Sequence, residues 1–159
     1  MKEKVTHPFD PVYDKNSKIL IVGSIASSMS RKLGYPYANP NNRFWKVLEI
    51  LFNEKIADYK SFLLKHNIAL WDSIKSCDIT GSSDSSIKNI EINEIWKITN
   101  SVPIKAVFTN GKTAFNVYTK YIFPKTKIRA IYLPSTSPAN ASKKLEDLVE
   151  DYKIILEYL

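Results

Sequence analysis

Residues 19–23 read Ile-Leu-Ile-Val-Gly, an apolar, β-branched run that stops at a glycine. A run of this kind has no polar face to show to water, so it predicts a strand buried on both sides, as in a parallel sheet. Three more runs share its character: Ile68-Ala69-Leu70-Trp71, stopped at Asp72; Lys105 to Thr109, with Ala106-Val107-Phe108 at its centre; and Ile128 to Leu133. Helical patterns lie between them. Asn41-Asn42 can cap a helix from about Arg43, whose Phe44, Val47, Leu48 and Leu51 recur at helical spacing. Further helices are predicted over 57–66, 92–99, from Gly111 through Tyr121, and over 141–158, with a turn-rich loop at Thr80–Ser86. Strands alternating with helices give an α/β fold: a three-layer αβα sandwich around a mostly parallel, four-stranded sheet. No repeat or linker interrupts the 159 residues, which predicts a single domain over 1–159.

In such sheets ligands bind beyond the carboxyl ends of the strands. Those ends are Gly23-Ser24, Asp72-Ser73, Asn110-Gly111-Lys112 and Pro134-Ser135-Thr136-Ser137, all polar or glycine-bearing, so together they form one candidate site.

Composition narrows the class of partner. The formal net charge of +7 favours an anionic one, nucleic acid being the commonest, although an evenly spread solubility charge gives the same sum. A single cysteine, Cys77, excludes an intrachain disulfide, and His7 and His66 lack metal-ligand spacing, so no metal or cofactor is expected. No apolar signal core opens the chain and no run reaches membrane-spanning length, which together read as a cytoplasmic, reduced protein. A monomer is the expected state at this size.

Several chemistries lack their signatures. There is no GxGxxG, no Walker lysine motif, no GxSxG elbow and no histidine placed for a triad. Ser, Asn, Asp, Lys and backbone amides remain, a set suited to chemistry in which water attacks and the protein orients and stabilises charge. Most informative is Gly34-Tyr35-Pro36-Tyr37-Ala38-Asn39-Pro40-Asn41-Asn42-Arg43-Phe44-Trp45. An aromatic held by a proline-rich loop beside a strand end can stack on a flat base, and asparagine amides can both donate and accept hydrogen bonds to it. Taken singly, each residue also has a plain structural reading: the tyrosines pack the loop and Asn42 caps a helix.

This segment, with Gly23-Ser24 before it, resembles the uracil-DNA glycosylase superfamily, and most nearly its hypoxanthine-DNA (deoxyinosine) glycosylase branch. Further likeness lies at 68–72, at 81–87, at Asn110-Gly111-Lys112 and at 133–140. The blocks keep their order from about Gly23 to Asn140, and five ordered blocks are far more specific than any one of them.

The resemblance implies a glycosylase that hydrolyses the N-glycosidic bond of a deaminated base (hypoxanthine, with uracil or xanthine as further candidates) flipped out of double-stranded DNA, with water as nucleophile. It implies roles residue by residue. Asn42 would be the main catalytic asparagine, orienting the water or polarising the base. Tyr37 would stack on the base, and Asp72 would accept a hydrogen bond from its ring N–H, while an N-cap for the Ser73-Ile74 turn is an equal alternative for Asp72. Ser24, Ile25, Asn39 and Asn110 complete the base site. Ser27, Lys112, Ser135, Thr136, Ser137 and Lys143 would meet the DNA backbone, with a plain solvated lysine as the default reading of Lys112. Apart from the resemblance, the basic residues Arg31, Lys32, Arg43 and Lys144 could hold flanking phosphates.

Two departures stand out. The family usually has Gly-Ser-Phe-Pro-Ser where this chain has Gly23-Ser24-Ile25-Ala26-Ser27, and His-Pro where it has Asn39-Pro40. They keep a second reading open, a DNA-binding homologue with impaired catalysis. A third reading, an unrelated α/β enzyme acting on free nucleosides, would not need the basic surplus.

Overall fold

A computed structural model describes residues 2–80 and 86–159. Four strands, β2 (Ile19–Gly23), β3 (Ile68–Asp72), β6 (Ala106–Asn110) and β7 (Ala130–Leu133), form the expected parallel sheet in the order β3-β2-β6-β7. The register pairs Ile19 with Ile68 on one side and with Ala106 on the other. Every residue of β2 and β6 is buried. That is why Ile19–Val22 and Ala106–Phe108 read as unbroken apolar runs: helices cover both faces.

Alternation along β2 divides the core. Ile19 and Ile21 pack with Phe44, Val47 and Leu48 of α2 (Phe44–Phe52), Phe62 and Leu63 of α3 (Tyr59–Lys65), and Leu148 and Tyr152 of α7 (Leu145–Tyr152). Leu20 and Val22 pack with Ile98 of α4 (Trp96–Ser101), and with Tyr118 and Ile122 beyond α5 (Lys112–Val117). The helix that follows β6 is not uniform. After α5 it widens into a π-helical turn over Tyr118–Ile122 and resumes as α6 (Phe123–Thr126).

A second sheet was not expected. β1 (Lys2–Thr6), β4 (Ile74–Thr80) and β5 (Lys88–Ile92) form three antiparallel strands in the order β1-β4-β5. The predicted helix over 92–99 therefore begins later, at Trp96, because Ile92 is held in register opposite Ile74 of β4. In β1 only Val5 is a buried apolar residue, so no local pattern announces a strand and pairing to β4 imposes it. Most of the loop expected at Thr80–Ser86 lies outside the described residues.

The closing helix also starts later than the predicted 141. Asp147 accepts the backbone N–H of Lys144 at 3.0 Å and fixes the start there, and the last turn, Lys153–Tyr158, is tightened to 3₁₀. Among the described residues no helix is long and apolar enough to cross a membrane.

Candidate active site

A cleft of about 690 Å³ opens at the carboxyl ends of the parallel strands, where β2 and β6 diverge in topology. Its walls include Gly23 and Ser24 after β2, Asp72 at the end of β3, Asn110 and Gly111 after β6, and the loop from Ser135 to Asn140 after β7. Residues Pro36, Tyr37, Asn39 and Asn42 from the segment before α2 close the remaining side. The volume lies within the ~300–1,000 Å³ range of small-molecule sites.

The 34–45 segment folds as one device. Asn42 Oδ1 accepts the N–H of Phe44 at 2.9 Å, and the N–H of Asn42 donates to the Asn39 carbonyl at 2.8 Å. The expected asparagine cap is displaced by one residue: Arg43 is the N-cap and has no side-chain cap bond. Asn42 instead closes an Asx turn onto Phe44 just ahead of the helix, which also settles which end of the amide is which. With Oδ1 tied to the backbone, the NH₂ of Asn42 is left as a donor. Phe44 stacks on Tyr37 with ring centroids 4.1 Å apart, and Trp45 meets Tyr37 edge-on while donating its indole N–H to the Pro36 carbonyl at 2.9 Å. Tyr37 itself has φ +56°, a left-handed backbone that costs a bulky residue strain and is kept by these contacts. One face of its ring is covered by Phe44, so a planar ligand can meet only the other.

The Tyr37 hydroxyl is buried and makes no hydrogen bond among the described residues. Burial, followed by the charge of Asp72, raises its pKa well above that of free tyrosine, and the nearby Asn110 side chain, whose amide is bonded to Thr136, opposes this only in part. It lies over Gly23 beside Asp72: a Cβ at position 23 would sit 2.3 Å from Asp72 Oδ1 and 2.6 Å from the Tyr37 hydroxyl. Glycine is required there for close approach, not for an unusual φ.

Asp72 is buried, and its other oxygen, Oδ2, is bound by His7 Nε2 at 2.7 Å. Its carbonyl accepts the side-chain N–H of Asn93 at 2.8 Å. The alternative role of capping a Ser73-Ile74 turn does not arise, because β4 starts at Ile74 and the chain continues extended. His7 was missed by sequence reasoning. A lone histidine ahead of a proline carries no periodic or spacing signal.

Most residues named from the sequence share this cleft. Ser24, Ile25, Ser27, Tyr37, Asn39, Asn42, Asp72, Asn110, Lys112, Ser135 and Ser137 all line it. Ile25, in the place of the family's aromatic, also packs against the cluster of Val5, Ile74 and Ile79. Asn39 Oδ1 accepts the N–H of Asn41 at 2.9 Å.

Three assignments need correction. Thr136 is fully buried: its N–H and Oγ1 are both bonded to the Asn110 amide, so it cannot press on a DNA backbone. Lys143 is not part of the cleft wall, and its ammonium pairs with Asp151 at 2.9 Å. Arg43 spends its guanidinium on main-chain carbonyls, donating to Ser137 at 2.8 Å, to Asn140 at 3.2 Å, and also to Lys143 and Thr136. It clamps the loop after β7 and has no fork left for a phosphate. Asn110, though in the cleft wall, similarly devotes its amide to Thr136.

The result is a slot with an aromatic wall, a carboxylate acceptor on its floor and an amide donor at its side. That combination suits a flat heterocycle carrying both N–H and C=O groups. Among the described residues, no three His, Cys, Asp or Glu side chains are grouped to hold a metal ion.

The chain has known relatives in sequence and in fold. A sequence model of the uracil DNA glycosylase superfamily matches residues 11–159. A protein of Methanosarcina acetivorans named hypoxanthine DNA glycosylase is 36% identical over 140 residues, covering 83% of this chain and 86% of that one. Its namesake from Methanosarcina barkeri is 37% identical over 110 residues, covering 65% and 70%. A solution NMR structure from Methanosarcina acetivorans, whose description offers it as a uracil DNA glycosylase, aligns with a TM-score of 0.78 at 33% identity over 99% of both chains.

Proposed function

This chain belongs to the uracil DNA glycosylase superfamily, and from that footing we propose that it is a monofunctional DNA glycosylase that releases hypoxanthine from double-stranded DNA, acting as a single-domain monomer. Uracil and xanthine, which share the ring N–H beside a carbonyl, are its secondary substrates. The names of the two Methanosarcina relatives favour hypoxanthine. The observation that carries the reading is that Tyr37, Asn42 and Asp72, which come from different elements, line one cleft.

Cleaving an N-glycosidic bond builds positive charge on the sugar and negative charge on the departing base. A fixed donor aimed at that base stabilises the transition state more than the ground state. The Asn42 NH₂ is such a donor, since its Oδ1 is anchored to Phe44 and the amide cannot swivel freely. Tyr37 covers one face of the extruded ring, and Asp72 Oδ1 accepts its N–H. Extrusion costs a few kcal/mol and less for a mispaired base, which favours deaminated sites. Lys112 is the one lysine in the cleft wall among the described residues, and it is exposed at the start of α5. It sits outside the kind of apolar pocket that makes an amine nucleophilic, so water, not lysine, attacks the sugar.

The test uses duplexes carrying a single hypoxanthine, uracil or xanthine, followed by alkali to cut abasic sites. Wild type releases hypoxanthine fastest. Asn42→Ala loses one well-placed donor, ~3 kcal/mol of barrier and thus roughly 10²-fold in rate. No release of any base, with binding to the duplex intact, would favour the impaired homologue instead, and equal rates for the two proteins would remove Asn42 from catalysis.

A further inference from the structure

His7 lies before the stretch matched to the superfamily, residues 11–159, yet it makes the shortest side-chain contact to the cleft's carboxylate. Its own side chain is only 4% exposed. β1 delivers it there. That strand pairs with β4 from Lys2 to Thr6, and the N–H of His7 continues the contact by donating to the Lys75 carbonyl at 2.6 Å.

The imidazole's two nitrogens have distinct partners. The backbone N–H of Phe9 donates to Nδ1 at 3.3 Å, and an N–H can only donate, so Nδ1 is an acceptor without a hydrogen. The ring hydrogen is therefore on Nε2, which donates to Asp72 Oδ2 at 2.7 Å. Both contacts require the same neutral tautomer. Asp72 is thus held at Oδ2 by His7 and at its carbonyl by Asn93, while Oδ1 rests against Gly23 on the cleft floor with no hydrogen bond among the described residues.

We propose that His7 is a positioning residue that fixes Asp72 as a pure acceptor toward the cleft, and so makes the site select bases with a ring N–H over bases with a bare ring nitrogen. The inference rests on the function proposed above. Hypoxanthine presents N1–H to Oδ1 and is held. Adenine presents the N1 lone pair, which faces the carboxylate unfavourably. Without the His7 donor, Oδ2 is buried and unpaired and the carboxyl is free to turn. Oδ1 then no longer faces the ring N–H squarely, hypoxanthine loses its advantage over a base with a bare ring nitrogen, and the discrimination narrows. The N-terminal strand thereby becomes part of base selection and not merely an added edge.

The experiment compares wild type, His7→Ala, His7→Gln, Asp72→Ala and the His7→Ala/Asp72→Ala double variant in single-turnover release. Duplexes carry hypoxanthine or unsubstituted purine, the same ring without N1–H and O6. His7→Ala is expected to be roughly 10- to 100-fold slower on hypoxanthine, the usual effect of removing the partner that orients a ligating side chain. Its hypoxanthine-to-purine ratio is expected to fall, with no further loss when added to Asp72→Ala. His7→Gln keeps a donor at the position of Nε2 and restores both rate and ratio. Should His7→Ala not fold, His7→Met, of similar length but without a donor, is compared with His7→Gln in its place. An unchanged ratio, a loss that adds to that of Asp72→Ala, or the absence of rescue by glutamine overturns the role of His7. Wild-type protein that releases no base overturns the parent reading and this one together, whereas active wild type with an unaltered His7→Ala overturns this one alone.

Discussion

Asn110 and Thr136 exchange two hydrogen bonds inside the protein: the Asn110 amide donates to Thr136 Oγ1 at 3.0 Å and accepts the Thr136 N–H at 3.1 Å. The pair joins the end of β6 to the loop after β7, and so sets the spacing between two walls of the cleft. Both residues are buried, so removing one partner strands the other's polar atoms. Asn110→Ala is expected to cost about 1–3 kcal/mol. For a chain of this length each kcal/mol lowers Tm by roughly 2–4 °C. Thermal unfolding checks the value, and a Tm within 1 °C or so of wild type would show that the pair contributes nothing.

The parallel sheet was legible because burial on both faces forces the central strand β2, and the first residues of β3 and β6, to be apolar, whereas the edge strand β7 is only partly buried. The cleft was legible for a different reason. Asn42, Tyr37 and Asp72 stand at strand ends or just before a helix, where turn chemistry and side-chain chemistry coincide. What escaped depended on partners distant in sequence. β1 takes its form from β4 and His7 finds Asp72 across 65 residues, and neither leaves a periodic trace. Thr136 misled for a related reason: a Pro-Ser-Thr-Ser run reads as surface, but here its threonine turns inward to satisfy a buried amide. Likewise Arg43 and Lys143 look like phosphate ligands by charge alone, and only the fold reveals that both charges are already engaged.

That distinction between free and engaged cations predicts two kinds of variant. Each phosphate contact adds about 0.9 to the slope of log affinity against log salt. Lys112 is exposed at the rim of the cleft, so Lys112→Ala should weaken DNA binding and flatten the slope by about 1. Arg43→Lys should leave the slope unchanged. It should instead destabilise the fold by on the order of 2 kcal/mol, because an ammonium cannot fork across several carbonyls. Fluorescence titration of labelled duplex at several salt concentrations, paired with thermal unfolding, separates the two effects. A flatter slope for Arg43→Lys would mean that its guanidinium does reach the DNA.

Alkaline pH should weaken the fold through its buried tyrosines. Burial is the main cause that raises Tyr37, Tyr118 and Tyr152 above the ordinary value of 10.0. Unfolded, each loses its proton near that value, whereas in the fold each keeps it to higher pH. Their contribution is therefore complete below about pH 10 and is lost as pH climbs beyond it, by up to ~1.4 kcal/mol per pH unit for each group. Tyr37→Phe is the cleanest probe, since the Tyr37 hydroxyl is buried without a well-aligned hydrogen bond, the nearby Asn110 amide being bonded to Thr136. Denaturant unfolding should find this variant about as stable as wild type at pH 8, with a shallower decline above pH 10. A parallel decline in the two proteins would contradict the burial of that hydroxyl.

Gly23→Ala probes the floor of the cleft. The new methyl would lie 2.3 Å from Asp72 Oδ1 and 2.6 Å from the Tyr37 hydroxyl, so both must retreat. Asp72 cannot do so without breaking its 2.7 Å bond to His7, and Tyr37 is backed by Phe44. A displacement near 1 Å in groups that orient a substrate typically costs on the order of 10² in rate. The backbone of β2 tolerates alanine, since position 23 does not need a positive φ. The expected outcome is a large loss of hypoxanthine release with a folded, cooperative unfolding transition. Near-normal release by Gly23→Ala would mean that Asp72 and Tyr37 can move apart without consequence, and that the base is read elsewhere in the cleft.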